Sequence, residues 1–221
     1  MNISIFGVGY VGLVTASCLA KLGHNVLCYD INEIILDNLA QGRLPFFEPG
    51  LDKLVKEQSE ALNLRFTNDV EVATSHSKAL FICVGTPALP DGSSNLEYLE
   101  SAVLSIVNFA KKDKLIILKS TSPVGTANKV TAIIQENQSN FDITINIASN
   151  PEFLREGNAV FDFMHPDRII VGCDDGSPKE IIHEIYGSNP DWIDRLQFMD
   201  ASSAELTKYS ANCFLAMKIS F

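Results

Sequence analysis

Short apolar runs alternate with longer amphipathic stretches along almost the whole chain. The apolar runs are rich in Val, Ile, Leu and Phe and end at turn residues, which is typical of strands buried on both faces. They predict strands over residues 2–6, 25–29, 64–66, 79–84, 115–119, 143–148, 168–171 and 195–198. The amphipathic stretches predict helices over residues 10–22, 34–41, 51–58, 96–110 and 125–136, with further helices after residues 150, 178 and 201.

This alternation predicts an α/β fold of the doubly wound, Rossmann-like kind. Strands that alternate with helices form a mostly parallel sheet covered by helices on both faces. Neither a repeat nor a linker interrupts the pattern before residue 200, so residues 1–200 are expected to form one domain. Residues 201–221 are expected to form a separate long helix.

Composition and charge exclude several classes of function. With 221 residues, 46% of them hydrophobic, the chain can bury a sizeable core. A net charge of −10 argues against a nucleic-acid partner, because phosphate binding needs a basic face. The sequence has neither an apolar run of about 20 residues, the length that spans a bilayer, nor the basic start of a signal peptide. A cytoplasmic location without a membrane partner is therefore expected.

The five cysteines show neither C-x-x-C pairing nor a zinc-like spacing. We interpret them as small core residues in a reducing compartment. They are Cys18, Cys28, Cys83, Cys173 and Cys213. The four histidines are scattered along the chain, and no metal site is expected.

A glycine motif lies between the first predicted strand and the first predicted helix. In the segment Gly7-Val-Gly-Tyr-Val-Gly12, Gly7 permits a tight turn, Gly9 lets a pyrophosphate approach the backbone, and Gly12 lets the helix lie against the strand. The start of the helix offers N–H groups to the phosphates. Asp30 directly follows the second predicted strand, where its carboxylate would bind a ribose hydroxyl and repel a 2'-phosphate. The pattern predicts an NAD site and disfavours NADP.

Polar and turn residues follow three further strands. They occupy residues 85–87, 119–126 and 149–157. Each segment alone is also typical of an ordinary strand-to-helix turn. Three of them at one edge favour a ligand site, because open α/β sheets bind ligands at the carboxyl ends of their strands.

Seven segments resemble the UDP-glucose/GDP-mannose dehydrogenase family, in the order in which that family carries them. They are residues 7–13, 47–51, 83–87, 120–126, 150–157, 165–168 and 204–212. The resemblance covers the whole chain and is strongest to the UDP-glucose 6-dehydrogenases. It implies that a C6 alcohol of a nucleotide sugar is oxidised in two steps to a carboxylate by two NAD, through a cysteine-bound thioester.

The resemblance also implies roles for individual residues. Thr121 and Glu152 would position water and move protons, Lys208 would stabilise the oxyanion, and Asn212 would assist Lys208. Glu156 would lie near the nicotinamide. The implied cofactor residues are Gly7, Gly9, Tyr10, Val11, Gly12, Asp30, Val84, Gly85, Thr86, Thr121 and Glu156.

The spacing of Lys208 and Asn212 agrees with these roles. Residues four apart on a helix share one face and can reach the same oxygen, as oxyanion stabilisation requires. A solvated helix face is the plain alternative for this pair. Glu152 has its own alternative, because an acid after Asn-Pro favours the start of a following helix.

The chain departs from the family pattern at three points. Ile35 stands where the family usually has a basic residue, so NAD is expected to bind more weakly, and Ser122 replaces an apolar residue. No segment matches the family's nucleophilic cysteine loop. We therefore expect residues 1–200 to be the NAD-binding domain and residues 201–221 the start of a connecting helix, with the C-terminal sugar-nucleotide domain absent and the chain inactive alone.

The final helix carries an apolar stripe without a stop signal. Its members, at spacings of three and four, are Leu206, Tyr209, Cys213, Met217 and Phe221. Such a stripe needs a partner surface, and we expect a truncated helix that pairs two copies of the chain. Alternative functions stay open at this point: a GDP-mannose or UDP-N-acetyl-sugar 6-dehydrogenase, a β-hydroxyacid dehydrogenase, and a non-catalytic NAD-binding module.

Overall fold

In the part of the chain that the structure describes, eight strands form one sheet at the centre of the molecule. The structure, a computed structural model, describes residues 1–140, 142–173 and 177–221. The strands are β1 (Asn2–Phe6), β2 (Asn25–Tyr29), β3 (Leu64–Thr67), β4 (Ala79–Ile82), β5 (Lys114–Leu118), β6 (Ile145–Ser149), β7 (Ile169–Gly172) and β8 (Leu196–Met199). Their order in the sheet is β3-β2-β1-β4-β5-β6-β7-β8. Each predicted strand is present, with its ends shifted by at most a few residues.

Helices connect the strands and cover the sheet. They are α1 (Tyr10–Lys21), α2 (Glu33–Ala40), α3 (Leu51–Glu60), α4 (Val70–His76), α5 (Glu97–Phe109), α6 (Thr126–Asn137), α7 (Ala159–Met164), α8 (Ser177–Tyr186) and α9 (Ala201–Ser220), with a short 3-10 helix over Pro190–Arg195. The sequence pattern predicted neither α4 nor the 3-10 helix. Both are too short for a clear helical period. Asp69 begins α4, and its carboxylate accepts a hydrogen bond of 3.0 Å from the Val72 N–H.

The direction of β1 to β6 places the carboxyl ends of these six strands at one edge. Strands β1 to β6 are parallel, β7 pairs antiparallel with β6 at Ser149 and Gly172, and β8 runs parallel to β7. The predicted doubly wound, mostly parallel sheet is confirmed. The chain leaves β1 toward β2 on one side and later returns to β4 on the other, so the order of the strands reverses between β1 and β4. Ligands bind at such a switch point.

Two apolar clusters, one on each face, hold the sheet between its helices. One cluster includes Leu13, Leu54 and Ile182 of α1, α3 and α8, and the other includes Val103 and Val130 of α5 and α6. Four of the cysteines are buried, as expected: Cys18, Cys28, Cys83 and Cys173. Cys213 is exposed on α9, so the core interpretation is wrong for that residue. The helix has left the body of the domain at that point.

Helix α9 packs against the sheet only through its first half. Ala201, Ala204, Glu205 and Lys208 are buried there, and a Cβ added to Gly172 of β7 would lie 2.6 Å from the Cβ of Ala204. In the second half, large apolar side chains are exposed beyond the predicted stripe as well as within it. The exposed ones on α9 and at its end are Leu206, Phe214, Leu215, Met217, Ile219 and Phe221. Within the described ranges, no helix has both the length and the apolar character needed to cross a membrane.

Candidate functional site

The glycine motif forms an open cradle at the switch point between β1 and β4. Gly7 has φ of 98°, and a Cβ there would lie 2.9 Å from the carbonyl oxygen of Cys83. A Cβ on Gly12 would lie 1.9 Å from the carbonyl oxygen of Gly7, so α1 approaches β1 as closely as the backbone permits. A Cβ on Gly9 would meet no atom within 4 Å. Two glycines therefore permit close packing, and the third faces open space.

The open space lies at the start of α1. Gly9 is the residue before the helix and, as a glycine, provides no side-chain cap to the first turn. The leading N–H groups, those of Tyr10, Val11 and Gly12, have no carbonyl partner within the helix and are available to an anion. A pyrophosphate fits this position, because it supplies acceptors and the negative charge that the helix N-terminus favours.

Asp30 stands beside the cradle at the end of β2. One oxygen, Oδ2, accepts a hydrogen bond of 2.8 Å from the Val8 N–H, and Oδ1 accepts one of 2.9 Å from the Asn32 N–H. A carboxylate offers about four acceptor positions, so each oxygen can accept a further hydrogen bond from a ribose hydroxyl. Ile35, one of the departures from the family pattern, is half-buried against the core. The acid therefore stands beside the cradle with acceptor capacity left for a ligand, and Ile35 packs on the core.

The loops after β4 and β5 are joined by two hydrogen bonds. The Ser120 hydroxyl donates to the carbonyl oxygen of Val84 at 2.6 Å, and the Thr86 hydroxyl donates to that of Thr121, also at 2.6 Å. Gly85 is exposed between them. The structure thus brings the predicted cofactor residues of two separate loops together at the same edge of the sheet.

A buried ion pair joins α9 to the loop after β6. The Nζ of Lys208 lies 2.7 Å from Oε1 of Glu152, and the two side chains are only 8% and 11% exposed. Oε2 of Glu152 accepts a hydrogen bond of 2.6 Å from the Leu154 N–H. The Lys208 ammonium also lies 5.6 Å from the ring centre of Phe153. Two predicted catalytic residues, 56 positions apart in sequence, therefore make direct contact.

The other predicted catalytic residues are placed differently. Thr121 and Lys208 line one small cavity of about 10 Å³, which is close to the space that one water molecule needs. Asn212 is exposed one turn beyond Lys208, and among the described residues no hydrogen bond joins it to this group. Glu156 is exposed as well. The structure groups Thr121, Glu152 and Lys208, and leaves Asn212 and Glu156 at the surface.

Glu205 has a role that the sequence did not indicate. Although it lies on α9, its carboxylate accepts hydrogen bonds from the Gly125 N–H at 2.7 Å and the Ala127 N–H at 2.8 Å. It thereby caps α6, whose first turn has no cap of its own. The side chain is 4% exposed. Since Glu205 stands one turn before Lys208, this cap also holds the face of α9 that carries Lys208 against the loop that carries Thr121.

A larger cavity of about 380 Å³ opens beside Glu152. The Lys119 ammonium lies at its base, where it donates a hydrogen bond of 3.2 Å to Oδ1 of Asn150. Burial lowers the pKa of Lys119 to about 8, and the nearby Lys208 adds to this effect while Cys83 and Glu152 oppose it. Other lining residues are Phe153, Arg155, Phe163, Arg168, Tyr186 and Trp192.

The buried lysine predicts a specific pH dependence of stability. Between pH about 8 and 10.5, the unfolded chain holds a proton on Lys119 that the folded chain has released. The contribution of Lys119 to the free energy of unfolding therefore rises with pH in this window, by up to about 1.4 kcal/mol per pH unit. Urea unfolding of the wild type and Lys119→Met at pH values across this window measures the effect. The difference between the two proteins should shift with pH in favour of the wild type, and a constant difference would contradict the prediction.

The fold and site define a class of protein. A parallel sheet with an open glycine cradle at its switch point, and an acid after the second strand, constitutes a Rossmann-type NAD-binding domain. Residues 1–189 match the profile of the UDP-glucose/GDP-mannose dehydrogenase family, NAD binding domain. The chain belongs to this family, and its cofactor is NAD. No group of three or more His, Cys, Asp or Glu is arranged to hold a metal ion in the part of the chain that the structure describes.

Individual relatives support the family assignment. The chain is 43% identical to a UDP-glucose 6-dehydrogenase from Rhizobium meliloti and 41% identical to one from Bacillus subtilis, and all of it aligns with each. It spans about half of these relatives, 51% and 49% of their lengths. Among solved structures, a UDP-glucose dehydrogenase from Pyrobaculum islandicum shares 39% identity with a TM-score of 0.93, over the whole chain and 51% of that structure. A GDP-mannose dehydrogenase from Pseudomonas aeruginosa shares 33% identity with the same TM-score and coverage.

Proposed function

We propose that this chain is the NAD-binding half of an enzyme that oxidises the C6 alcohol of UDP-glucose to the carboxylate, giving UDP-glucuronate. The observation that carries the proposal is the buried contact between Lys208 and Glu152, which lies beside Thr121. Desolvating an ion pair costs free energy, and such buried ionisable groups cluster at functional sites. This pair lies at the edge of the sheet where NAD would bind. Names of relatives support UDP-glucose as the substrate.

The residues of the site match the needs of this reaction. When bound, NAD accepts a hydride from C6 in each of two oxidation steps. The Lys208 ammonium would stabilise negative charge on the C6 oxygen, since it is buried and held in place before the reaction. Glu152 would take the proton from the water that hydrolyses the thioester, and Thr121 would orient that water. Asn212 is exposed on α9, and it would join these residues only when the other half of the enzyme packs against this helix.

The proposal assigns the sugar-nucleotide pocket and the nucleophilic cysteine to the half of the relatives that this chain does not span. Four of the five cysteines here are buried and one is exposed on α9. Burial raises the pKa of Cys18 and of Cys83 to about 12, which disfavours the reactive thiolate in both. The chain alone is therefore expected to bind NAD without turnover.

Activity measurements with and without the second half test the proposal. The purified chain is incubated with NAD and UDP-glucose, alone or co-expressed with the remaining half of the Rhizobium meliloti relative. We expect NAD binding by calorimetry in both cases, and two NADH per UDP-glucose only in the combination. Sustained NADH formation by the chain alone would refute the division of the site, and absence of NAD binding would refute the whole proposal. If the combination oxidises GDP-mannose and not UDP-glucose, the substrate proposed here is wrong and GDP-mannose replaces it.

We also propose a cytoplasmic homodimer that pairs through α9. The second half of this helix exposes Phe214, Leu215 and Ile219, and apolar area of this kind favours association. Light scattering of the purified chain over a range of concentrations measures its mass. A mass of one chain at every concentration would overturn this part of the proposal.

A further inference from the structure

Glu48 is a buried acid in an otherwise exposed loop. It lies between α2 and α3, within residues 47–51, one of the seven segments that resemble the family. Its neighbour Phe47 is 88% exposed, whereas Glu48 is 3% exposed. The acidic side chain of Glu48 therefore points into the protein, while the apolar side chain of the neighbouring Phe47 points into solvent. A carboxylate needs strong partners to be buried in this way.

The partners of Glu48 come from two distant segments. Oε2 accepts hydrogen bonds from the Tyr10 hydroxyl at 2.5 Å and from the Gly157 N–H at 2.8 Å. Oε1 accepts one from the Ala159 N–H at 2.8 Å. Tyr10 is the first residue of α1, the helix of the NAD cradle, and Gly157 ends the loop that carries Glu152. One side chain thus links the cradle to the catalytic loop.

The chemistry of this link is that of an ionised cap. Burial raises the pKa of Glu48, but hydrogen bonds from Tyr10, Gly157 and Ala159 outweigh this effect and hold the pKa below its usual value. The carboxylate is charged, and charge-assisted hydrogen bonds are stronger and more directional than neutral ones. Asn158, which precedes α7, provides no side-chain cap. Glu48 takes that place from a position more than 100 residues earlier in the chain.

We propose that Glu48 is a positioning residue that couples the NAD cradle to the loop over residues 150–157 and so orders the nicotinamide end of the cofactor site. The inference rests on the proposed function for the role of Glu152, and on the family resemblance for the expected position of Glu156 near the nicotinamide. Glu48 acts through Tyr10 and Gly157, since the hydrogen bonds described for its carboxylate are all to protein groups. Loss of its charge would leave the phosphate and ribose contacts of the cradle in place and free the loop that faces the nicotinamide.

Two ligands separate this role from a general effect on folding. NAD and ADP-ribose share the adenosine, pyrophosphate and second ribose, and only NAD carries nicotinamide. For Glu48→Gln, calorimetry should show NAD affinity lowered about tenfold, within the range typical of coupling between sites, while ADP-ribose affinity changes less than about twofold. Glu136→Gln, which removes an exposed charge on α6, is the matched control and should leave both affinities unchanged.

The outcomes distinguish the inference from the proposed function. Equal loss of affinity for both ligands, or no loss, would overturn the role of Glu48 while NAD binding by the wild type stands. A wild type that does not bind NAD would overturn both. If Glu48→Gln does not fold, Tyr10→Phe provides the test, because it removes one donor and keeps the two backbone hydrogen bonds to Glu48. It should lower the ratio of NAD to ADP-ribose affinity about threefold, and an unchanged ratio would overturn the inference.

Discussion

Gly12→Ala is expected to destabilise the domain by about 3 kcal/mol or more, a large part of the total stability of a typical domain. The added Cβ would lie 1.9 Å from the carbonyl oxygen of Gly7 and 3.1 Å from the Cβ of Cys83. Both neighbours lie at the tightly packed carboxyl ends of β1 and β4, so α1 would have to move away from these strands. Urea unfolding of the purified variant measures the loss.

Gly9→Ala is the matched control for this substitution. Its φ of −68° and ψ of −166° suit alanine, and the added Cβ would meet no atom within 4 Å. Stability should stay within about 0.5 kcal/mol of the wild type. The Cβ would project into the cradle instead, and NAD affinity should fall at least about tenfold, since the pyrophosphate needs close approach to the backbone. Wild-type stability of Gly12→Ala, or wild-type NAD affinity of Gly9→Ala, would contradict this account of the cradle.

Lys208→Met is expected to lower the free energy of unfolding by about 3 kcal/mol, because it leaves the charge of Glu152 buried without its partner. Methionine keeps most of the length and apolar contact of the lysine side chain. The loss of stability therefore measures the effect of removing the charge. Urea unfolding near neutral pH measures the loss. Lys218→Met, on the exposed part of the same helix, should change stability by less than about 0.5 kcal/mol.

A second substitution identifies the cause. Adding Glu152→Gln to Lys208→Met removes the orphaned charge, and the double variant should recover a large part of the lost stability. If the changes in the free energy of unfolding from the two substitutions simply add, the ion pair is not the reason why Lys208 stabilises the fold. In the assembled enzyme of the proposed function, loss of the ammonium should also lower kcat by about 10² to 10³.

Much of the fold could be predicted from the local pattern. Strands β1 and β2 match the prediction residue for residue, because turn residues bound each short apolar run. The cradle could be predicted too, since its chemistry depends on six consecutive residues, 7–12. The reversed direction of β7 could not, because a parallel and an antiparallel strand buried on both faces have the same apolar pattern.

The sequence by itself determined the order of strands and helices, the glycine cradle and the acid that follows β2, since these depend on short-range periodicity and on spacing along the chain. Only the tertiary structure decided which charges are buried. It paired Lys208 with Glu152, turned Glu48 inward beside an exposed Phe47, and left Asn212 in solvent. Helical spacing sets the direction of Asn212 around α9 but not the point at which the helix leaves the domain. The cost of burying a charge depends on the segments that pack around it, and these lie far apart in the sequence.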